Sequence, residues 1–221
     1  MQVSSRKEDT MEWNAVLFLG AYHGINPGMG WLFAVALGMQ QGSARGVWRA
    51  LPPIALGHAA AVGTVLLVAA LAQMVMPLAV MKVVVATVLV VLGLYRLWRH
   101  RHPRFGGMRV GFRDLTIWSF LMASAHGAGF MVLPFVMGIS NHVLAASASH
   151  AHHEAMMHGS VPWVGAVALG VHTLAYLVVL AVAAWIVYRK LGLALLRTAW
   201  LNLDLIWAAA LVLTGALIFF I

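Results

Sequence analysis

A chain of 221 residues that is 62% hydrophobic and only 9% charged cannot coat a water-soluble globule, since soluble chains carry roughly a quarter charged residues. The absence of cysteine excludes a disulfide framework, iron–sulfur clusters and thiolate metal sites. A net charge of +8 would suggest nucleic acid for a soluble chain. Here the basic residues fall in short loops between apolar runs, where they orient a membrane protein, so a lipid bilayer and not nucleic acid is the expected partner.

The polar start, with Arg6, Lys7, Glu8 and Asp9 in balance, is not followed by a short apolar region with a small-residue cleavage site. No removable signal peptide is expected, and the first apolar segment reads as a full span. A span needs about 20 apolar residues, and such runs predict six transmembrane helices at about 13–40, 53–73, 77–97, 115–140, 162–188 and 199–221. The expected fold is an all-α integral membrane protein. Pro52–Pro53 and Pro162 suit helix starts, and Met76–Pro77 suits a tight turn. Trp13, Trp98, Trp118, Trp163, Tyr188 and Trp200 lie near the expected span ends, where amphipathic rings favour the headgroup level.

Charge sets the expected topology. Arg45 and Arg49 fall between spans one and two. Arg96, Arg99, Arg101, Arg104, Arg109 and Arg113 fall between three and four, and Arg189, Lys190 and Arg197 between five and six. These are eleven of the fourteen Lys and Arg residues. The positive-inside rule places those loops in the cytoplasm and both termini outside, in a membrane of the bacterial inner (cytoplasmic) type.

Three spans in each half require any internal repeat to be inverted. Phe18-Leu-Gly-Ala-Tyr-His23-Gly24 is echoed by Phe120-Leu-Met-Ala-Ser-Ala-His126-Gly127, and Ala55-Leu-Gly-His58 by Ala168-Leu-Gly-Val-His172. The chain therefore reads as one transmembrane domain over 1–221, built of two inverted three-helix repeats. The first covers about 13–97 and the second about 115–221, joined by a basic cytoplasmic loop at about 98–114. Such repeats place a binding site near the bilayer midplane, often at interrupted helices. Gly24-Ile-Asn26-Pro27-Gly28-Met29-Gly30 is an interruption of that kind in the first span, since proline removes a donor and glycine leaves helical geometry freely. The same residues also suit a packing kink.

The eleven histidines carry most of the functional information. His23, His58, His126 and His172 lie inside expected spans, where imidazole is costly unless paired, hydrated or metal-bound. Neutral imidazole suits Ni²⁺, Co²⁺, Zn²⁺ and Cu²⁺. Asn26 and Met29 adjoin this set, as do Met122 and Met131, although a membrane methionine also serves as plain packing. Five further histidines, His142, His150, His152, His153 and His158, occupy an expected outer loop at about 141–160. With Glu154 they read compositionally as a metal-capturing tract, against the alternative of a plain polar loop. His100 and His102 lie in the basic loop and read as interfacial. Asp204, inside the sixth span, is either a rim partner for Arg197 or a proton-coupling carboxylate.

Gly20-Ala-Tyr-His-Gly-Ile-Asn-Pro-Gly-Met-Gly30, followed by a helix bearing His58, resembles the NicO-type nickel/cobalt efflux transporters. Their first span carries Gly-Ala-x-His-Gly-x-x-Pro-Gly-His and their second a histidine. His23, Gly24, Pro27, Gly28 and His58 match in type and order; Met29 stands where the family has its second histidine, a softer donor that admits copper. The resemblance covers about residues 18–70 and implies a divalent-metal permease.

The expected function is a transition-metal carrier with a site formed by His23, His58, His126 and His172. In it the break at 26–30 supplies carbonyl ligands, and proton exchange at histidine is a possible driving force. Two rivals stay open. One is a membrane electron carrier with b-type haem held by His23/His58 and His126/His172. The other is an accessory or metal-delivery subunit of a homo-oligomer or larger membrane complex. With no nucleophile–base constellation and no phosphate-binding Gly-Lys-Ser/Thr loop, enzymatic hydrolysis is not expected.

Overall fold

The structure, a computed structural model, describes residues 2–73, 77–98, 111–148 and 154–191, with short stretches between 208 and 218. Among the described residues every regular element is helical. They are α1 (Gln2–Ile25), a 3-10 turn (Pro27–Met29), α2 (Trp31–Gln40), α3 (Ala44–Gln73), α4 (Leu78–Trp98), α5 (Phe112–Ala125), α6 (Ala128–Ala148) and α7 (Glu154–Ile186). A π turn over Val187–Leu191 follows α7.

Two helical stretches, Ala44–Ala72 and Trp163–Lys190, are long and apolar enough to cross a membrane. The α5–α6 pair, bent by 65°, makes a third if it is counted as one span. The outward faces of these helices are apolar. Leu56, Leu67 and Leu71 on α3 are exposed, as are Leu174, Val178 and Val182 on α7. In water such contiguous apolar surface would be a liability; against lipid it is the expected exterior.

By this test the six expected spans reduce, among the described residues, to two or three. The first and fourth segments are each broken near the middle. The apolar parts of α2 and α4, Trp31–Gln40 and Ala79–Tyr95, are short. Most of the sixth segment, including Asp204, lies outside the described residues, as does the greater part of the basic loop, with His100 and His102.

Several helix starts also differ from expectation. The helix that carries the first span begins at Gln2, so the polar leader is itself helical. Pro52 and Pro53 lie inside α3, which starts eight residues earlier at Ala44. Their missing N–H groups free the carbonyls of Trp48 and Arg49, two residues exposed near the end of the bundle. Pro162 likewise falls within α7. Of the expected outer loop at 141–160, residues 141–148 lie on α6, which runs to Ala148, and 154–160 lie on α7, which starts at Glu154; residues 149–153 lie outside the described residues. The reason is propensity. Val143-Leu-Ala-Ala-Ser-Ala148 and Glu154-Ala-Met-Met are rich in strong helix formers.

Glycines set the closest helix approaches and reveal the register. Gly20 of α1 lies against the His172 carbonyl of α7, and one turn later Gly24 lies against the Tyr176 carbonyl. So α1 and α7 run parallel. Ser119 of α5 meets Ile54 of α3, and Gly129 at the start of α6 meets Val65 of α3. Hence α5 and α3 also run parallel. Between the pairs the sense reverses, since Trp48 of α3 packs on Trp185 of α7 while Gly63 packs on Leu169. The result is two parallel pairs, α1 with α7 and α5 with α3, laid antiparallel around a common core.

Candidate functional site: a buried histidine cluster

The site begins at two chain breaks with the same local chemistry. At the first, α1 stops at Ile25 and Asn26 turns the chain, its side-chain oxygen accepting from Gly28 N at 2.8 Å. The carbonyls freed by the break are taken up by protein. Trp31 Nε1–H donates to Ile25 O at 2.8 Å, and Tyr176 O–H donates to Met29 O at 2.6 Å. Gly30, at φ 133°, turns the chain into α2 through a conformation that side chains strain against.

Two residues of the expected site also have structural partners here. Asn26 is a helix cap with its oxygen already engaged, and Met29 contributes a carbonyl bond to Tyr176 while its own side chain is buried. The break is held shut by indole, phenol and amide groups. Buried backbone acceptors need donors, and here side chains supply them.

The second break falls in the expected fourth span, between α5 and α6, with Gly127 at φ 69°. His126 closes α5. Its Nδ1–H donates to Met122 O at 2.7 Å, just as His23 Nδ1–H donates to Leu19 O at 2.6 Å. Each histidine bonds the carbonyl four residues back and stands where its helix gives way. Met122 also approaches the first break, its methyl beside Gly28.

All four of the expected site histidines are buried. Three of them meet ring to ring. The His23 ring centroid lies 5.1 Å from that of His172 and 5.5 Å from that of His58, both edge-on. His58 and His172 stack at 13° with centroids 5.4 Å apart, and their Nε2 atoms are 3.2 Å apart. His126 lies within electrostatic reach of His23.

The proton positions follow from the partners. The Val16 carbonyl only accepts, so His172 Nδ1 carries a hydrogen and donates to it at 3.2 Å. In the neutral ring His172 Nε2 is then an acceptor, and His58 Nε2–H donates to it. That leaves His58 Nδ1 as a buried lone pair with no hydrogen-bond partner among the described residues. With these assignments His58 and His172 are both neutral imidazoles, joined Nε2 to Nε2.

Two residues of the site were not foreseen from sequence. Tyr176 is fully buried and stacks on His58, centroids 3.9 Å apart, while its hydroxyl holds Met29. It lies four residues after His172, one turn along the same face, and that spacing was the available signal. Ser119 is buried beside Tyr176, and its hydroxyl donates to Ile54 O at 2.7 Å.

As it stands, the cluster is a hydrogen-bonded pair with a third ring against it. Among the described residues no three His, Asp or Glu side chains form a group able to hold a metal ion. The pair spacing is nevertheless close to that of two ligands on one ion. Nitrogens each about 2.0–2.1 Å from a tetrahedral centre stand ~3.3 Å apart.

His58 and His172, which the haem alternative assigns to different pairs, lie in direct contact through their Nε2 atoms. Of the outer tract, His142 lies on α6, and Glu154 and His158 lie on the first turns of α7. His150, His152 and His153 lie outside the described residues. An apolar cavity of about 210 Å³ sits between α3, α6 and α7, lined by Gly63, Leu66, Met137 and Leu169 among others. The hydroxyl of Ser140 on its wall donates back to Val136 O at 2.8 Å.

No protein-family model matches the chain, and neither the curated proteins nor the solved structures contain a significant match.

Proposed function

We propose that the chain is a membrane carrier for a divalent transition-metal cation, with His23, His58 and His172 as the core of its transient binding site and His126 at its edge. The observation that carries this reading is the convergence of three buried imidazoles, two of them with Nε2 atoms 3.2 Å apart. A set of nitrogens without carboxylates suits nickel, cobalt, copper or zinc, and does not suit calcium or magnesium, which take oxygen ligands. It also leaves the cation's charge uncompensated in a low-dielectric setting. Binding is then weak enough to release, which a carrier needs and a storage site does not.

A cation engages both Nε2 atoms when His58 passes its Nε2 hydrogen to its own Nδ1, the nitrogen that has no partner among the described residues. Both rings stay neutral. The breaks at Asn26–Gly30 and His126–Gly127 are the hinges of alternating access.

Six spans in two inverted repeats remain the proposed architecture. Its support is the pairing of α1 with α7 and of α5 with α3, parallel within each pair and antiparallel between them. The matching histidine–carbonyl bonds at the two breaks add to it. The chain is proposed as a divergent relative of the NicO-type permeases in a bacterial-type inner membrane. His150, His152 and His153 would capture ions at the outer face.

The test is metal analysis of the purified protein combined with uptake of Ni²⁺, Co²⁺, Cu²⁺ and Zn²⁺ into reconstituted vesicles. His23→Ala and His58→Ala are each expected to abolish transport of the accepted ion while helical content is kept. Normal binding and transport in both variants would refute the site. Alanine at His150, His152 and His153 together is expected to weaken apparent affinity and spare the maximal rate.

A further inference from the structure

A second cluster lies at the end of the bundle where α3 starts and α7 finishes, thirteen residues beyond His172 and so about 20 Å from it along the helix. Arg45, Trp48 and Arg49 have the i, i+3, i+4 spacing of one helix face, and all three are exposed. Trp48 packs on Trp185 across the α3–α7 contact, ring centroids 5.6 Å apart. The regular helix then gives way to the π turn Val187–Leu191, which carries Arg189 and Lys190. A π turn inserts a residue into the helical register and so redirects side chains. Here Arg189 is placed over the Trp185 ring, its guanidinium carbon 4.5 Å from the centroid.

A guanidinium stacked on indole is fixed in orientation while the donors on its edge stay available, the arrangement that suits bidentate binding of phosphate. The Trp48 and Trp185 rings offer an amphipathic platform of the kind that settles at the headgroup level. The sequence from Gln40 to Ala60 and from Trp163 to Leu191 contains no Asp or Glu. Asp114, on the neighbouring α5, is turned onto Gly111 N at 3.0 Å.

We infer that this end of the bundle binds the headgroup of an anionic phospholipid, with Arg45, Arg49 and Arg189 on the phosphate and the Trp48–Trp185 pair beneath the glycerol. The cations supply the selectivity for an anion. The exposed apolar faces of α3 and α7 just beyond them supply the seat for acyl chains, which is why the ligand is a lipid and not a free anion. The site is independent of the histidine cluster and of any cation it carries.

The experiment is native mass spectrometry of the purified full chain in detergent, titrated separately with phosphatidylglycerol, phosphatidylcholine and inorganic phosphate. Phosphatidylglycerol is expected to be retained in preference to phosphatidylcholine, with no competition from millimolar phosphate. Each Arg near an anionic lipid is worth about 1 kcal/mol, so Arg189→Gln should weaken retention about fivefold. Arg45→Gln and Arg49→Gln should each do the same. Arg189→Lys, which keeps the charge and loses the stacked fork, should fall between the parent and Arg189→Gln. Equal retention of the two lipids, or unchanged retention in the three Gln variants, overturns the assignment. Displacement by inorganic phosphate overturns the lipid and leaves a site for a free anion. Unchanged far-ultraviolet circular dichroism excludes misfolding as the cause of any loss.

Discussion

His58 and His172, 114 residues apart in sequence, share a hydrogen bond of 3.2 Å between their Nε2 atoms in a fully buried setting. The bond is directional, because the Val16 carbonyl fixes the hydrogen of His172 on Nδ1 and so makes His58 the donor. It joins α3 to α7 at the point where the two parallel helix pairs meet.

Removing either ring leaves the other with an unmet polar group. His58→Ala and His172→Ala are each expected to destabilise the protein by about 1–3 kcal/mol, the range for a stranded buried donor or acceptor. The double variant should cost less than the two together, with a coupling of about 1 kcal/mol. Denaturant unfolding in detergent micelles measures all three. Strict additivity would show that the two rings do not depend on one another.

Tyr176 ties the first break to the same pair, stacking on His58 and donating to Met29 O. Tyr176→Phe keeps the stack and removes the donor. The Met29 carbonyl is then stranded, at a cost of roughly 1–3 kcal/mol. Amide hydrogen exchange at residues 28–31 should accelerate far more than exchange in α4. Unchanged protection at 28–31 would mean that the phenol does not hold the break. Trp31→Phe, which strands Ile25 O, should produce the same local signature.

Much of this arrangement was legible in the chain. Histidines in apolar runs have few affordable settings, so His23, His58, His126 and His172 marked the interior before any coordinates. Asn26-Pro27-Gly28 marked the first break for the same reason. The second break was not read, although Ala125-His-Gly-Ala repeats the local signal of His23-Gly24; without a proline, His126-Gly127 looks like uninterrupted helix. Which groups meet the freed carbonyls is a tertiary question. Trp31 and Tyr176 donate to two of them, and only the spacing of Tyr176 from His172 pointed to either. Loop length was overestimated around Ala148 and Glu154 because polarity was weighed above the helix preference of alanine, glutamate and methionine.

The same substitution at two glycines should have opposite consequences. At Gly24 an added Cβ would lie 2.6 Å from Tyr176 O and 2.9 Å from the Val179 Cβ. The first of these contacts is with backbone, which cannot rotate aside, so α1 must move off α7. Gly24→Ala is expected to cost about 1–3 kcal/mol, the usual range for overpacking. At Gly170, also within α7, an added Cβ meets nothing within 4 Å, and alanine there removes the conformational freedom of glycine in a helix. Gly170→Ala should be neutral or stabilising by up to about 1 kcal/mol. Thermal unfolding in detergent gives the sign of each. The Gly24 variant carries a second readout. Separation of α1 from α7 draws Val16 O away from His172 Nδ1 and His23 away from His172. His172 then loses the carbonyl that fixes its hydrogen, and nitrogen-15 spectra of the imidazoles should show tautomer exchange at His172 and His58. A Gly24→Ala protein as stable as the Gly170→Ala protein, with unchanged imidazole spectra, would show that the α1–α7 approach does not position the cluster.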